Sequence, residues 1–264
     1  MRYGFIGCGN MGGAIAKAVC AAKGPEHVLL ANKTTEKAIR LAADLGCSWG
    51  SNEDAAKCKF VFLGVKPHMM KEVLELLQDV LASRKDEFVL VSMAAGLTIS
   101  VIQEMAGGNY PVIRIMPNTP VSVGEGMIQY ALRNVSREME QEFLEAMSKG
   151  GKLDPLKEDL IDAASAVSGC GPAWTYMFLE ALADGGVAAG LPRAKALEYA
   201  AQMLVGSGRL FLNEQKHPGE LKDAVCSPGG STIQGVRTLE QHGFRGAVME
   251  AVLAAWEKNK QLGK

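Results

Sequence analysis

The chain opens Arg2-Tyr3-Gly4-Phe5-Ile6-Gly7-Cys8-Gly9-Asn10-Met11-Gly12, a short apolar run followed at once by G-x-G-x-x-G, and a helical pattern begins at Met11. In such a turn the first glycine permits a tight bend, the second lets the backbone approach a diphosphate, and the third lets helix pack on strand. Free N–H groups and the positive end of the helix dipole then hold the anion. Alone the motif is only a glycine-rich turn. Here a strand precedes it, a helix follows, and a second β-type run lies at Val28–Ala31, which is the context a dinucleotide site requires. Gly7, Gly9, Asn10, Met11 and Gly12 are therefore the expected diphosphate contacts.

The residue about 20 positions past the glycines decides which dinucleotide fits, because a carboxylate there bonds the ribose 2′-hydroxyl of NAD. This chain has Asn32-Lys33-Thr34-Thr35 instead. A cation and two hydroxyls suit a 2′-phosphate, so NADPH is the expected cofactor, with NADH also admitted. The plain alternative is a solvated Lys33 and a threonine that merely caps a helix.

Working outward, Phe60–Val65, Phe88–Met93, Val112–Met116 and Gly126–Ala131 are further β-type runs, and Met11–Ala22, Thr35–Leu45, Pro67–Ala82 and Arg137–Ser148 are helical stretches. Their alternation predicts a doubly wound α/β domain. Beyond about residue 155 no segment alternates with period two. Helical windows at Leu160–Val167, Pro172–Ala189, Pro192–Leu212, Thr232–Gln241 and Phe244–Gln261 predict an all-helical second half. The expected architecture is thus an N-terminal Rossmann-type sheet domain, residues 1–157, and an all-helical C-terminal domain, residues 158–264. Gly185, Gly186, Gly206 and Gly208 fall in or beside helical windows, where each costs about 1 kcal/mol relative to alanine. Tight helix packing, as at a subunit interface, would offset that.

Composition narrows the class. The chain has 264 residues, 48% hydrophobic and 22% charged, enough to bury a sizeable core. With 28 basic against 29 acidic residues, no charge excess points to nucleic acid or an anionic membrane. Glycines and Lys17 interrupt the N-terminal apolar stretch, which argues against a secretory signal. No run of about 18 apolar residues predicts a membrane span. Six cysteines without C-x-x-C spacing, and four histidines that do not cluster with them, argue for reduced thiols in the cytoplasm and against a metal. His217 and His242 are expected at a turn and a helix terminus.

In the helical half, Ser227-Pro228-Gly229-Gly230-Ser231-Thr232 precedes the apolar pattern Ile233, Val236, Leu239. Ser231 with Gln234 reads as a capping box. The glycine pair reads equally as an exposed helix N-terminus ready for a small carboxylate, with the Thr232 hydroxyl beside it.

The blocks Leu221–Ile233, Leu239-Glu240 and Gly243-Phe244-Arg245 closely resemble the signature of pyrroline-5-carboxylate reductases. So do Val65-Lys66-Pro67, Ala94-Ala95-Gly96, Arg114–Pro120, Ser168–Ala173 and Ala183–Gly186, all in the family's order. The resemblance implies reduction of the imine 1-pyrroline-5-carboxylate to L-proline by NADPH or NADH, the last step of proline synthesis. It implies a helical domain interlocked in a homodimer, often assembled into a decamer. It also implies substrate carboxylate binding by Ser227, Gly229, Gly230, Ser231 and Thr232, with Thr232 as the hydrogen-bond or proton donor to the imine nitrogen. Asn52, Val65, Lys66, Pro67, Ala94, Ala95 and Asn118 would line the cofactor cleft. A lone lysine such as Lys66 reads otherwise as a solvent-facing residue. The sequence departs from the family at Cys170, Trp174 and Cys226, which touches affinity and thiol sensitivity rather than reaction class.

A β-hydroxyacid dehydrogenase would share the glycine loop, but the helix after Gly169-Cys170-Gly171 lacks that family's lysine and asparagine. A non-catalytic NADP sensor would not require the intact Ser227–Thr232 loop.

Overall fold

The computed structural model describes residues 1–262. Along the chain, β1 (Tyr3–Ile6) leads into α1 (Asn10–Lys23), β2 (Val28–Ala31), α2 (Thr35–Leu45), a two-residue β3 (Ser48–Trp49) and the short α3 (Asn52–Ala56). Then come β4 (Phe60–Leu63), α4 (Pro67–Ser83), β5 (Val89–Ser92), α5 (Ile99–Ala106) and β6 (Val112–Met116). A 3-10 turn at Thr119–Val123 precedes β7 (Gly126–Arg133), α6 (Arg137–Met147) and β8 (Gly151–Pro155). Every residue of β1, β2, β4, β5 and β6 is buried, as strands covered on both faces must be. Period two sorts their side chains. Phe5, Phe60 and Phe62 join α1 and α6 in one apolar layer, while Ile6, Val61 and Leu63 join α4 and α5 in the other. Phe5 stacks on Phe62 across the strands, ring centroids 4.4 Å apart.

The sheet order is β3-β2-β1-β4-β5-β6-β7-β8. All neighbours are parallel except β6 and β7, with Ile115 opposite Tyr130. Chain direction from β1 runs to β2 on one side and to β4 on the other, so a crevice opens at the C-terminal ends of β1 and β4.

The chain packs as two compact units, residues 1–170 with the segment from Ala255 onward, and Gly171–Ala254. Residues 158–170 stay with the sheet because of side chains on β6, on β7 and in the segment between them. Arg114, 1% exposed, sends Nη2 to Asp162 at 2.8 Å and lies 3.6 Å from Glu158, which binds α7 (Ile161–Ser168) to β6. Gln129 donates to the Ser168 hydroxyl and Asn118 to the Ser168 carbonyl, at 2.9 and 3.0 Å. The second unit holds α8 (Gly171–Ala188), α9 (Arg193–Glu214), α10 (Pro218–Ala224), α11 (Ser231–Gln241) and the start of α12 (Phe244–Leu262). Gly186 lets α8 meet α9, since a Cβ there would lie 3.1 Å from the Ala196 methyl. Around Gly185, Gly206 and Gly208 there is open space.

Expected strands and helices recur within a residue or two, while β3, β8, α3, α5 and α10 had no counterpart in the sequence reading. The three helices among them are short and held by end chemistry, and the two strands are the edges of the sheet. Ser51 and Asp54 form a capping box on α3, Thr98 Oγ1 accepts from Val101 N on α5, and His217 Nδ1 accepts from Gly219 N at the start of α10. His242 caps the C-terminus of α11.

At the opposite strand ends Glu142 of α6 bridges Arg2 and Lys59, the latter at 2.7 Å. Burial would raise its pKa, but the hydrogen bonds and charges of the two cations outweigh that and bring it down to about 2. The folded state then gains stability above the ordinary glutamate range, and the gain fades as pH falls toward 2. Accordingly Glu142→Gln should lower stability to urea by about 1 kcal/mol at neutral pH. The gap between variant and wild type should close in melts taken progressively toward pH 2. Replacing Arg114 by methionine, which strands Asp162 without its cation, should cost about 3 kcal/mol in thermal or urea melts.

Candidate active site

Gly7 follows β1 with φ +97° and donates to the Ala31 carbonyl at 2.8 Å. A Cβ on Gly12 would sit 2.1 Å from Gly7 O, and one on Gly7 would sit 2.7 Å from the Gly64 carbonyl carbon. These two glycines let α1 lie directly on the ends of β1 and β4. Gly9 differs, with nothing within 4 Å of the place its Cβ would take. It is the N-cap of α1, no side chain caps that end, and the first turn has no acidic residue. The first backbone bond closing onto Gly9 O comes from Gly13, at 2.8 Å, so the amides of Asn10, Met11 and Gly12 precede it and are free for an anion. Asn32 braces the loop, its Oδ1 accepting from Cys8 N and its Nδ2 donating to Thr34 O, both at 3.0 Å. The Cys8 thiol is buried, and burial pushes its pKa up to about 12, which makes it inert.

Beside the loop lies a hollow of about 610 Å³ lined by Gly9, Asn10, Met11, Val65, Lys66, Pro67 and Ala95, all expected from sequence. Ala14, Gly64, Met93, Thr119 and Ser122 complete it. The signal for Gly64 and Met93 was their place at the C-terminal ends of β4 and β5, the edge at which such sheets bind ligands. Pro67 is the first residue of α4 with Lys66 as its N-cap, so a second helix start borders the hollow. Other expected residues lie outside its lining. Lys33 and Thr34 are exposed past β2, Asn52 is the first residue of α3, and Ala94 is buried. Asn118 is 9% exposed, with its Oδ1 accepting from Met127 N at 2.9 Å and its Nδ2 held by Ser168.

A depression of about 700 Å³ at the far end of β1 is lined by Arg2, Lys23, Glu142 and Glu145, but there cations and carboxylates already neutralise each other. Among the described residues no group of three or more His, Cys, Asp or Glu is placed to hold a metal ion, and no helix is long and apolar enough to cross a membrane.

In the helical unit, Gly230 N donates to Ser227 O at 3.0 Å, closing a turn with Pro228 second and Gly229 third at φ +69°. That is the residue pattern of a type II turn. The turn makes Gly230 the N-cap of α11. Ser231 becomes the first helical residue, so the Ser231–Gln234 capping box expected from sequence is not formed, and no side chain caps the helix. Ser227 Oγ lies 2.4 Å from where a Gly230 Cβ would be, so a side chain at the cap would have to displace the Ser227 hydroxyl. The amides of Ser231, Thr232 and Ile233 are left without intrahelical partners, and no acidic residue stands in this first turn. Thr232 is exposed, and its hydroxyl has no hydrogen-bond partner among the described residues.

Comparison with known proteins adds an independent line. Residues 158–262 match the family model described as pyrroline-5-carboxylate reductase dimerisation. Residues 2–96 match the model described as NADP oxidoreductase, coenzyme F420-dependent. The chain is 37% identical over 268 residues to the pyrroline-5-carboxylate reductase of Escherichia coli K12, spanning 100% of this chain and 98% of that protein. It is 40% identical over 267 residues to the enzyme of that name from Glycine max, spanning 98% and 95%. A Plasmodium falciparum pyrroline carboxylate reductase crystallised with NADP bound superposes with TM-score 0.89 at 33% identity, covering 100% of this chain and 98% of the other. A pyrroline-5-carboxylate reductase from Coxiella burnetii gives 0.90 at 30%, with the same coverage. With likeness this extensive, running through both the glycine loop and the Ser227–Thr232 turn, the chain belongs to the pyrroline-5-carboxylate reductase family.

Proposed function

We propose that this protein reduces the C=N bond of 1-pyrroline-5-carboxylate to give L-proline, with NADPH as preferred cofactor and NADH also accepted. The observation that carries the reading is a repeated one. Each unit presents a helix of 11 residues or more whose first turn is uncapped by side chains, free of acidic residues and entered through glycine. One such start suits a diphosphate, the other a carboxylate. The open space at Gly9 fits an approaching phosphate oxygen, which supports cofactor binding there.

When bound, the reduced nicotinamide supplies hydride to the imine carbon. The amides of Asn10, Met11 and Gly12 hold the diphosphate, and Val65, Pro67 and Ala95 wall the hollow beside it. The amides at the start of α11 take the substrate carboxylate. The Thr232 hydroxyl oxygen accepts a hydrogen bond from the N–H of the protonated ring nitrogen. A threonine hydroxyl is too weak an acid to act as a general acid near neutral pH. Its role is to orient a substrate already protonated at nitrogen, with any proton relayed from water. Positioning of this kind can lower a barrier by about 7–11 kcal/mol.

The working form is a homodimer built through the helical unit, with further assembly to a decamer by the same family likeness. Within the helical unit Tyr176, Met177, Tyr199, Leu212 and Met249 are exposed while its buried apolar residues are Ala183, Ala196 and Ala200, a unit with too little core of its own, which supports self-association. A cytosolic location suits its six free cysteines.

Purified protein with NADPH and racemic pyrroline-5-carboxylate should consume reduced nicotinamide, and absence of consumption would overturn the reading. Thr232→Ala should slow turnover about 10- to 100-fold while proline binding persists, and Thr232→Ser should recover most of the rate. Complete loss of turnover with proline binding intact would overturn the orienting role. Gly9→Ala should keep the wild-type urea midpoint but weaken NADPH binding at least tenfold by fluorescence titration, on the order of 1.4 kcal/mol. Gly12→Ala, by contrast, should lose about 1–3 kcal/mol of stability as well as cofactor binding.

A further inference from the structure

A groove of about 570 Å³ runs between α1 and α2 and opens onto Gly9 and Asn10 of the glycine loop. Its charged lining is Lys17 from α1 and Lys37, Arg40 and Asp44 from α2. Positions 37, 40 and 44 are three and then four apart, so they share one face of α2. Lys17 stands one turn beyond Gly13 on the facing helix. The groove thus gathers three cations against one carboxylate. Lys17, Lys37 and Arg40 form no ion pair or side-chain hydrogen bond among the described residues. Elsewhere in the same unit Arg2, Lys23, Lys59 and Arg114 are all paired. Like charges turned toward one hollow repel unless an anion joins them.

The place of the groove says which anion. A diphosphate on the α1 amides carries its adenosine toward the β2 side of the crevice, the side α2 borders. We infer that Lys37 and Arg40, with Lys17 across the groove, bind the 2′-phosphate of the adenosine half and set the preference for the phosphorylated dinucleotide. Arginine offers the phosphate a planar pair of donors, and the lysines add point charges. Lys33 and Thr34, the residues chosen from spacing alone, do not line this groove. The assignment rests on the dinucleotide reading above.

Calorimetric titration with NADPH, NADH, 2′,5′-ADP and 5′-AMP tests it, on wild type, K37Q, R40Q, the double variant and K152Q. The last removes one charge, as each single variant does, from the exposed edge of β8. The double variant, with wild-type far-UV circular dichroism, should raise the Kd of NADPH and of 2′,5′-ADP at least 30-fold. The Kd of NADH should stay within twofold, and K152Q should change neither. Retention of NADPH binding within threefold would overturn the assignment, as would equal weakening of both dinucleotides. Wild-type protein that bound neither dinucleotide would instead overturn the dinucleotide reading, and the assignment with it.

Discussion

Helix α1 meets the sheet backbone against backbone. Gly12 over Gly7, and Gly7 over Gly64, leave less than 3 Å for any added Cβ, so the first turn of α1 rests on the ends of β1 and β4 with no side chain between. Where the amides of Asn10 to Gly12 lie follows from that contact. So does the shape of the hollow bordered by α4. Asn32 secures the loop to the end of β2 and fixes its height above the sheet.

The helical unit reaches a like result by a different local route. There no sheet supports the helix start, and a proline–glycine turn does the work by returning the chain onto Ser227. In both places the donors are main-chain amides, which do not titrate and lose no side-chain rotamers on binding. Neither start holds a carboxylate of its own in the first turn that would compete with an incoming anion.

Much of this was legible in the residues. Apolar runs buried on both faces and amphipathic stretches marked the larger elements, and three glycines marked the loop. What could not be read was whatever depends on a partner distant in sequence. Asn118 looked like a cleft residue, yet its amide joins Met127 to Ser168. Ser231 had a capping residue's type and spacing, but the turn ahead of it gave the cap to Gly230. Lys37 and Arg40 belong to no motif in the sequence, and only the facing of α2 toward α1 gathers them with Lys17. Packing also carries α7 with the sheet, because Arg114 finds its carboxylates there, which no local pattern encodes.

The sheet's two borders bear on how copies of the chain can meet. On one side β3 contributes only Ser48 and Trp49; on the other, β8 sets Lys152 and Asp154 before a terminal Pro155. A strand too short to template a neighbour and one studded with charge and proline both discourage ladder extension between molecules. Growth of an assembly by β-augmentation is thereby disfavoured, and helical surfaces inherit the task of recognising another copy.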